Sequence, residues 1–234
     1  MKYKIPNQIM GKPLEEWMKE PEPEKTQPQI PINSGLESKV DSWKISGVNY
    51  RNGIYPVELA KELLPAKTQN ENAQHRKQAQ IKGDFYTADM PLYHALFTSL
   101  YNQKNNPQTE EIRQFIKKSM REKLLTTLTR IAYQPKGKDK IIHNFGTSEK
   151  YELEENIRGP DRKIESADSN ALNALLGTDN INEINAVYNW INGTDTYILR
   201  VNNKPKEIIE RVAWFFADSG RAYLDCWGPG GSCA

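Results

Sequence analysis

The sequence predicts an α+β fold: a helical middle section, a short antiparallel β-meander and a C-terminal αα-βαβ section, all behind an extended N-terminal arm. Three observations lead there. Apolar residues recur at helical spacing between residues 89 and 125. After Leu125 the pattern changes to short β-branched and aromatic runs separated by turn residues. Residues 1–45 are Pro-spaced and polar, with too few apolar side chains to enclose a core.

Within the arm, Pro21 to Pro31 is a tract that favours extended polyproline conformations. Just before it, Pro13 suits the first position of a short helix. Leu14, Trp17 and Met18 then fall at i, i+3 and i+4 on one face. So short a helix is unstable alone in water and needs a surface to dock on. The remaining chain, 46–234, is expected to form one α+β domain, with a possible sub-boundary near 159–166.

A short amphipathic helix is expected over 55–65, carrying Val57, Leu59, Leu63 and Leu64 and stopped by Pro65. Residues 66–84 are polar and read as loop or solvated helix. Asp89 can cap a helix whose buried stripe is Leu92, Leu96, Phe97 and Leu100. Asn105-Asn106-Pro107 ends that element, and Thr109 caps the next, with Ile112, Phe115, Ile116, Met120 and Leu124 as its core face.

Strands are expected at 128–133, 140–145 and 151–157, forming an antiparallel meander with one solvated face. Asp168 or Ser169 caps a helix that stops at Gly177, and a second helix stops at Gly193. Residues 196–201 and 222–227 read as strands, and 205–217 as a helix between them. If the two strands are adjacent and parallel, this is a right-handed crossover unit.

Composition narrows the function. The chain has 234 residues, a formal net charge of +2 and 37% hydrophobic residues. Its pI is about 8.3 and its mean hydropathy −0.77. That balance does not imply polyanion binding by the chain as a whole. No run reaches the roughly 18 apolar residues of a membrane span, and no secretory signal is read at Met1, so a cytoplasmic protein with no membrane contact is expected. Cys226 and Cys233 are then expected as thiols, although the six residues between them are enough to close a loop under oxidation.

The familiar signatures for dinucleotide, P-loop, zinc-protease and serine-hydrolase chemistry are missing, and neither a cofactor nor a metal is expected. His75, His94 and His143 are far apart in sequence. His143, in an expected strand, fits a satisfied histidine at least as well as a ligand or catalytic group. The ends of the last strands suggest a small-ligand site: Asp225 and Cys226 would sit at the carboxyl end of a parallel pair, before a Gly-rich loop. Cys226 would be a nucleophile only if a base lowered its pKa. Arg200 and Arg221 beside them suggest an anion clamp, or charged strand edges.

A basic face covers 113–140. Lys117, Lys118, Arg121, Lys136, Lys138 and Lys140 could hold phosphates, unless the acidic stretch from Glu149 to Glu155 pairs with them. Three functions of different class therefore stand. The leading one is a non-catalytic intracellular interaction protein whose arm docks through Leu14, Trp17 and Met18, on a protein partner or on its own domain. The others are a nucleic-acid-associated protein using the basic face and a small-ligand enzyme with its site near Asp225 and Cys226. Oligomeric state is not readable from the sequence.

Overall fold

A computed structural model of the chain describes residues 35–228, apart from the side chain of Trp227, and the backbone of residues 8–9 and 12–13. Two compact units divide the chain, Met1–Ile32 and Asn33–Ala234. In the first, β1 (Gln8–Ile9) pairs antiparallel with β2 (Lys12–Pro13). Pro13 thus lies on a strand rather than at a helix start. Leu14, Trp17 and Met18 lie outside the described residues.

The second unit begins earlier than residue 46. β3 (Leu36–Ser38), β4 (Ser42–Tyr50) and β5 (Gly53–Ala60) form an antiparallel three-stranded sheet in that order. β3 and the start of β4 therefore occupy sequence expected to be arm. β5 replaces the helix expected over 55–65. Its turn, Arg51-Asn52, joins the paired residues Tyr50 and Gly53, and φ is positive at Arg51. A two-residue hairpin of this kind fixes register, and with it which residues of β4 and β5 face inward.

The polar stretch after Pro65 is a helix, α1 (Gln69–Lys82), opened by a capping box between Thr68 and Glu71. It buries Gln69, Asn72, Ala73, Arg76 and Ala79 rather than an apolar stripe. α2 (Met90–Asn102) is capped by Asp89, whose Oδ1 accepts from Leu92 N at 3.0 Å. α3 (Pro107–Glu122) is capped by Asn106 and not Thr109; the Asn106 side-chain Oδ1 accepts from Gln108 N. Thr109 is buried and donates to the Gln103 carbonyl.

β6 (Leu125–Tyr133), β7 (Asp139–His143) and β8 (Tyr151–Glu155) make the expected meander. The solvated face does not extend to β6, which is buried along its whole length. α1 packs against it, and Gln69 Nε2 donates to the Thr127 and Thr129 carbonyls. After β9 (Arg162–Lys163), a 3₁₀ turn at Ser166–Asp168 leads into α4 (Ser169–Leu176), which stops at Gly177. α5 (Ile181–Asn192) follows and stops at Gly193.

β10 (Thr196–Ile198) and β12 (Ala222–Trp227) are adjacent and parallel. The segment between them is not a helix. Ile209–Ala217 is a strand, β11, antiparallel to both β12 and β6. No helical crossover exists there, so the αα-βαβ section is αα-βββ. The result is a single seven-stranded sheet in the order β8-β7-β6-β11-β12-β10-β9, which runs unbroken across the possible boundary at 159–166. The α+β class is as read from the sequence.

α2 organises the core. It packs on β4 of the small sheet and on β6 of the large one, and against α4 and α5. Its Phe97 meets Tyr188 and Phe215 edge-on, with centroids 6.3 and 5.5 Å away. Such edge-to-face pairs add about 0.5–1.5 kcal/mol each beyond area burial. Trp43, Ile45 and Val48 of β4 close the other side.

Candidate functional site

An apolar cleft of about 430 Å³ opens among the described residues. Each wall comes from an element already placed. Val57 and Leu59 enter from β5 at strand spacing, and Leu63 and Leu64 follow it. α2 contributes Leu92, Tyr93, Leu96 and Phe97 at helical spacing, and α3 contributes Phe115, Ile116 and Ser119. Phe85 and Tyr86 enter from the α1–α2 loop, and Leu125 and Thr126 form the far end at the start of β6. The volume lies within the range of small-ligand pockets, about 300–1,000 Å³.

The electrostatics have one sign. Glu58, Glu62 and Asp84 line the cleft, and its lining includes no lysine, arginine, histidine or cysteine. Glu58 is paired with Lys39. Glu62 and Asp84 are exposed and enter no salt bridge among the described residues. Inside, burial pushes the Tyr93 hydroxyl up to about 12, so it stays neutral. The lining thus holds no nucleophile with a base beside it, and it suits an apolar occupant that carries positive charge at the mouth.

The residues singled out from sequence sit elsewhere. Asp225 and Cys226 are half-buried on β12 beside a void of about 10 Å³, room for at most about one water. The Cys226 thiol lies 3.2 Å from Tyr133 Oη, and burial raises its pKa to about 11. It is protonated at neutral pH. Asp225 accepts from the Cys226 amide at 2.6 Å, and burial raises its carboxyl as well.

His143 is fully buried with both ring nitrogens engaged. Nδ1 lies 2.9 Å from Thr129 Oγ1, which also accepts from Met90 N. The hydroxyl proton therefore goes to Nδ1, and Nε2–H donates to the Ala174 carbonyl at 2.8 Å. Burial lowers the ring's pKa. The neutral histidine ties β6 and β7 to α4.

Arg200 turns inward. Its guanidinium donates to Asp168 Oδ1 at 2.6 Å, and the same carboxylate accepts from Arg162 and from Glu165 N. Arg221 lies over the Tyr197 ring at 4.7 Å. Neither arrangement forms a clamp of the two.

The basic residues do not make one continuous face. Lys118 pairs with Glu122 and Arg121 donates to the Asn192 carbonyl, both on or beside α3. Lys136, Lys138 and Lys140 sit at the β6–β7 hairpin, beyond the opposite end of β6. Eight steps of strand, about 26 Å, separate the two groups along β6. Lys138 pairs with Glu155 at 3.3 Å, and Lys140 stands opposite Glu154 in register. Lys117 is half-buried on α3. Among the described residues no group of three or more His, Cys, Asp and Glu side chains gathers to hold a metal, and no helix is long and apolar enough to cross a membrane.

None of the family models, curated proteins or solved structures compared with this chain matches it. The cleft's walls were visible in the sequence only as core stripe. The one signal pointing to a lined cavity was Phe85-Tyr86, two aromatics in a row within a connecting segment.

Proposed function

We propose that this chain is a non-catalytic interaction protein, and that its cleft receives an apolar segment of a protein partner flanked by lysine or arginine. One observation carries the reading: the cleft is walled by aliphatic and aromatic side chains, its only charged lining residues are the carboxylates Glu58, Glu62 and Asp84, and among the described residues Glu62 and Asp84 enter no salt bridge. A basic flank at the mouth gains attraction without first breaking an ion pair at Glu62 or Asp84. The apolar residues gain burial at about 25 cal/mol per Å².

The N-terminal arm is a second element of the same proposal. Leu14, Trp17 and Met18 form its recognition segment. Glu15, Glu16 and Glu20 lie among and beside them, against Lys12 and Lys19. An acidic segment is repelled by a carboxylate-rimmed cleft, so the arm engages a basic surface on the partner.

Two peptides with one Leu/Trp/Phe centre, one flanked by lysines and one by glutamates, test this by titration calorimetry on the full chain. The lysine peptide binds at least about tenfold more tightly, and added salt narrows the gap. Charge reversal at exposed positions, Glu62→Lys with Asp84→Lys, abolishes the preference without affecting the fold. Equal binding of both peptides overturns the proposal. Trp17→Ala leaves this peptide's affinity unchanged, and a loss there places the arm in the same site.

A further inference from the structure

The apolar cleft runs along the edge of a strand rather than over its face. Pro56, Val57, Glu58, Leu59 and Ala60 all line it. Side chains alternate across a strand, so a cavity resting on one face of β5 would touch every second residue. Contact with consecutive residues places the cleft at the strand's edge, where the backbone is open. β5 ends the small sheet, with β4 on one side and no strand on the other. The other sheet ends of the second unit, β3, β8 and β9, contribute no residue to the cleft.

The register shows which backbone groups face the open side. In an antiparallel ladder, residues bonded to one neighbour alternate with residues whose N–H and C=O point the other way. Lys61 N donates to the Asp41 carbonyl at 2.9 Å, and the pairs Leu59–Trp43 and Val57–Ile45 continue that register in two-residue steps. Val57, Leu59 and Lys61 therefore bond to β4. The far side of β4 agrees: Lys39 N donates to the Ser42 carbonyl, so Ser42, opposite Ala60, faces β3.

The amides of Glu58 and Ala60 and the carbonyls of Pro56, Glu58 and Ala60 are thus left on the open edge. None of them has a hydrogen-bond partner among the described residues. Pro56 and Glu58 are exposed and Ala60 partly so, which puts these groups within reach of an incoming chain. Pro56 stands where an outward amide would otherwise be, the placement proline takes on edge strands. An open edge of this kind is a template for another strand.

We propose that the partner segment enters the cleft as an added β-strand, paired along β5. This rests on the reading of the cleft as the partner site and specifies the shape of what it takes. Main-chain hydrogen bonds to Pro56, Glu58 and Ala60 hold the segment, and alternate side chains select it. Those in register with Val57 and Leu59 point with them into the cleft, and those between point away from it. The recognised sequence carries apolar residues at i and i+2 rather than at the i, i+3 and i+4 of a helix. At about 3.3 Å per residue, a stretch of about five residues covers Pro56 to Ala60. Lysine or arginine at its ends meets the carboxylates Glu62 and Asp84, which line the same cleft.

Two lysine-flanked peptides of one composition, titrated calorimetrically into the full chain, test this. One alternates leucine and threonine; the other holds the same residues at helical spacing. The alternating peptide binds at least about tenfold more tightly. N-methylation, moved one residue at a time along it, weakens binding roughly tenfold at every second position and hardly at the positions between, because only alternate amides face β5. Amide exchange at Glu58 and Ala60 slows on binding. Ala60→Pro removes an outward amide that takes no part in the β4 ladder, and it weakens the peptide about tenfold. The N-methyl scan uses the unaltered chain and does not depend on that variant folding. Equal affinity for the two peptides, N-methyl effects without a two-residue period, or unaltered binding by a folded Ala60→Pro chain overturns the added strand while leaving the cleft as a partner site. Binding of neither peptide overturns both.

Discussion

Asp168 is the residue whose removal the structure constrains most tightly. Its side chain is 0% exposed and accepts from Arg162, Arg200 and the Glu165 amide. Burial would raise its carboxyl, yet these hydrogen bonds outweigh burial and hold it below the usual carboxylate range. Arg200 is 4% exposed and loses its counter-charge in Asp168→Ala, whereas Arg162, at 32%, can turn to water. Breaking a buried pair by deleting one partner costs about 3–5 kcal/mol. For a domain of this size that lowers Tm by about 6–20 °C. Arg200→Met costs less, because Asp168 keeps Arg162 and the Glu165 amide. Asp168→Ala combined with Arg200→Met recovers at least half of the Asp168→Ala loss. Urea unfolding of the four proteins closes the cycle. A loss under about 1 kcal/mol for Asp168→Ala, or simple additivity in the double variant, refutes the view that Arg200 is consumed inside the fold.

Three further outcomes follow from the same structure. His94 is depressed to about 4 in the fold against about 6.5 unfolded, so the unfolded chain binds the extra proton between those values. The His94 contribution is fully present above pH 6.5 and falls by about 3 kcal/mol as pH drops to 4; His94→Phe removes that part of the pH dependence in denaturant titrations at the two pH values and leaves the part due to His143, whose ring burial also depresses. Cys226, raised to about 11 by burial, is alkylated by iodoacetamide at pH 7.5 at least about 100-fold more slowly than a free thiol in a Cys233→Ser background. Gly146→Ala, where a new Cβ would lie 2.7 Å from Ala73 Cβ at φ +74°, costs about 2–4 kcal/mol. Gly83→Ala, at the same φ with nothing within 4 Å, costs about 1 kcal/mol by thermal melts.

The helices read from caps and apolar stripes, α2, α3, α4 and α5, lie where the sequence places them, within a residue or two at their ends except at the start of α3, which opens three residues before the expected cap Thr109. What was misread has physical causes. In β4 the inward residues are Trp43, Ile45 and Val48, and the bulge at Gly47 breaks the two-residue alternation that marks a strand. Asn52-Gly53, a strong hairpin signal, stood just before β5, but Val57, Leu59, Leu63 and Leu64 also fit a helical stripe. β11 is a central strand, buried through Val212 to Phe215, so its apolar run has no alternation to distinguish it from a helix. Its aromatic run Trp214-Phe215-Phe216 was the strand signal available. α1 has no apolar stripe because much of its buried face is polar: Gln69 donates to β6, Asn72 accepts from Thr87, and Arg76 donates to Asn144 and Glu149; the Thr68–Glu71 capping box was its one legible mark. The cleft was not legible, since it forms where elements distant in sequence converge on α2.

The proposed partner site rests on where the lysine-flanked peptide lands. The most direct measurement is methyl and aromatic NMR on the full chain with that peptide added. Resonances of Leu63, Leu96, Tyr93 and Phe115 should shift together along one binding curve, while His94 and Cys226 stay still. Ala60→Trp, which fills the cleft from β5, should abolish the shifts in a chain that remains folded. Shifts confined to the β6–β7 hairpin or to the arm, with the cleft resonances unmoved, contradict the account.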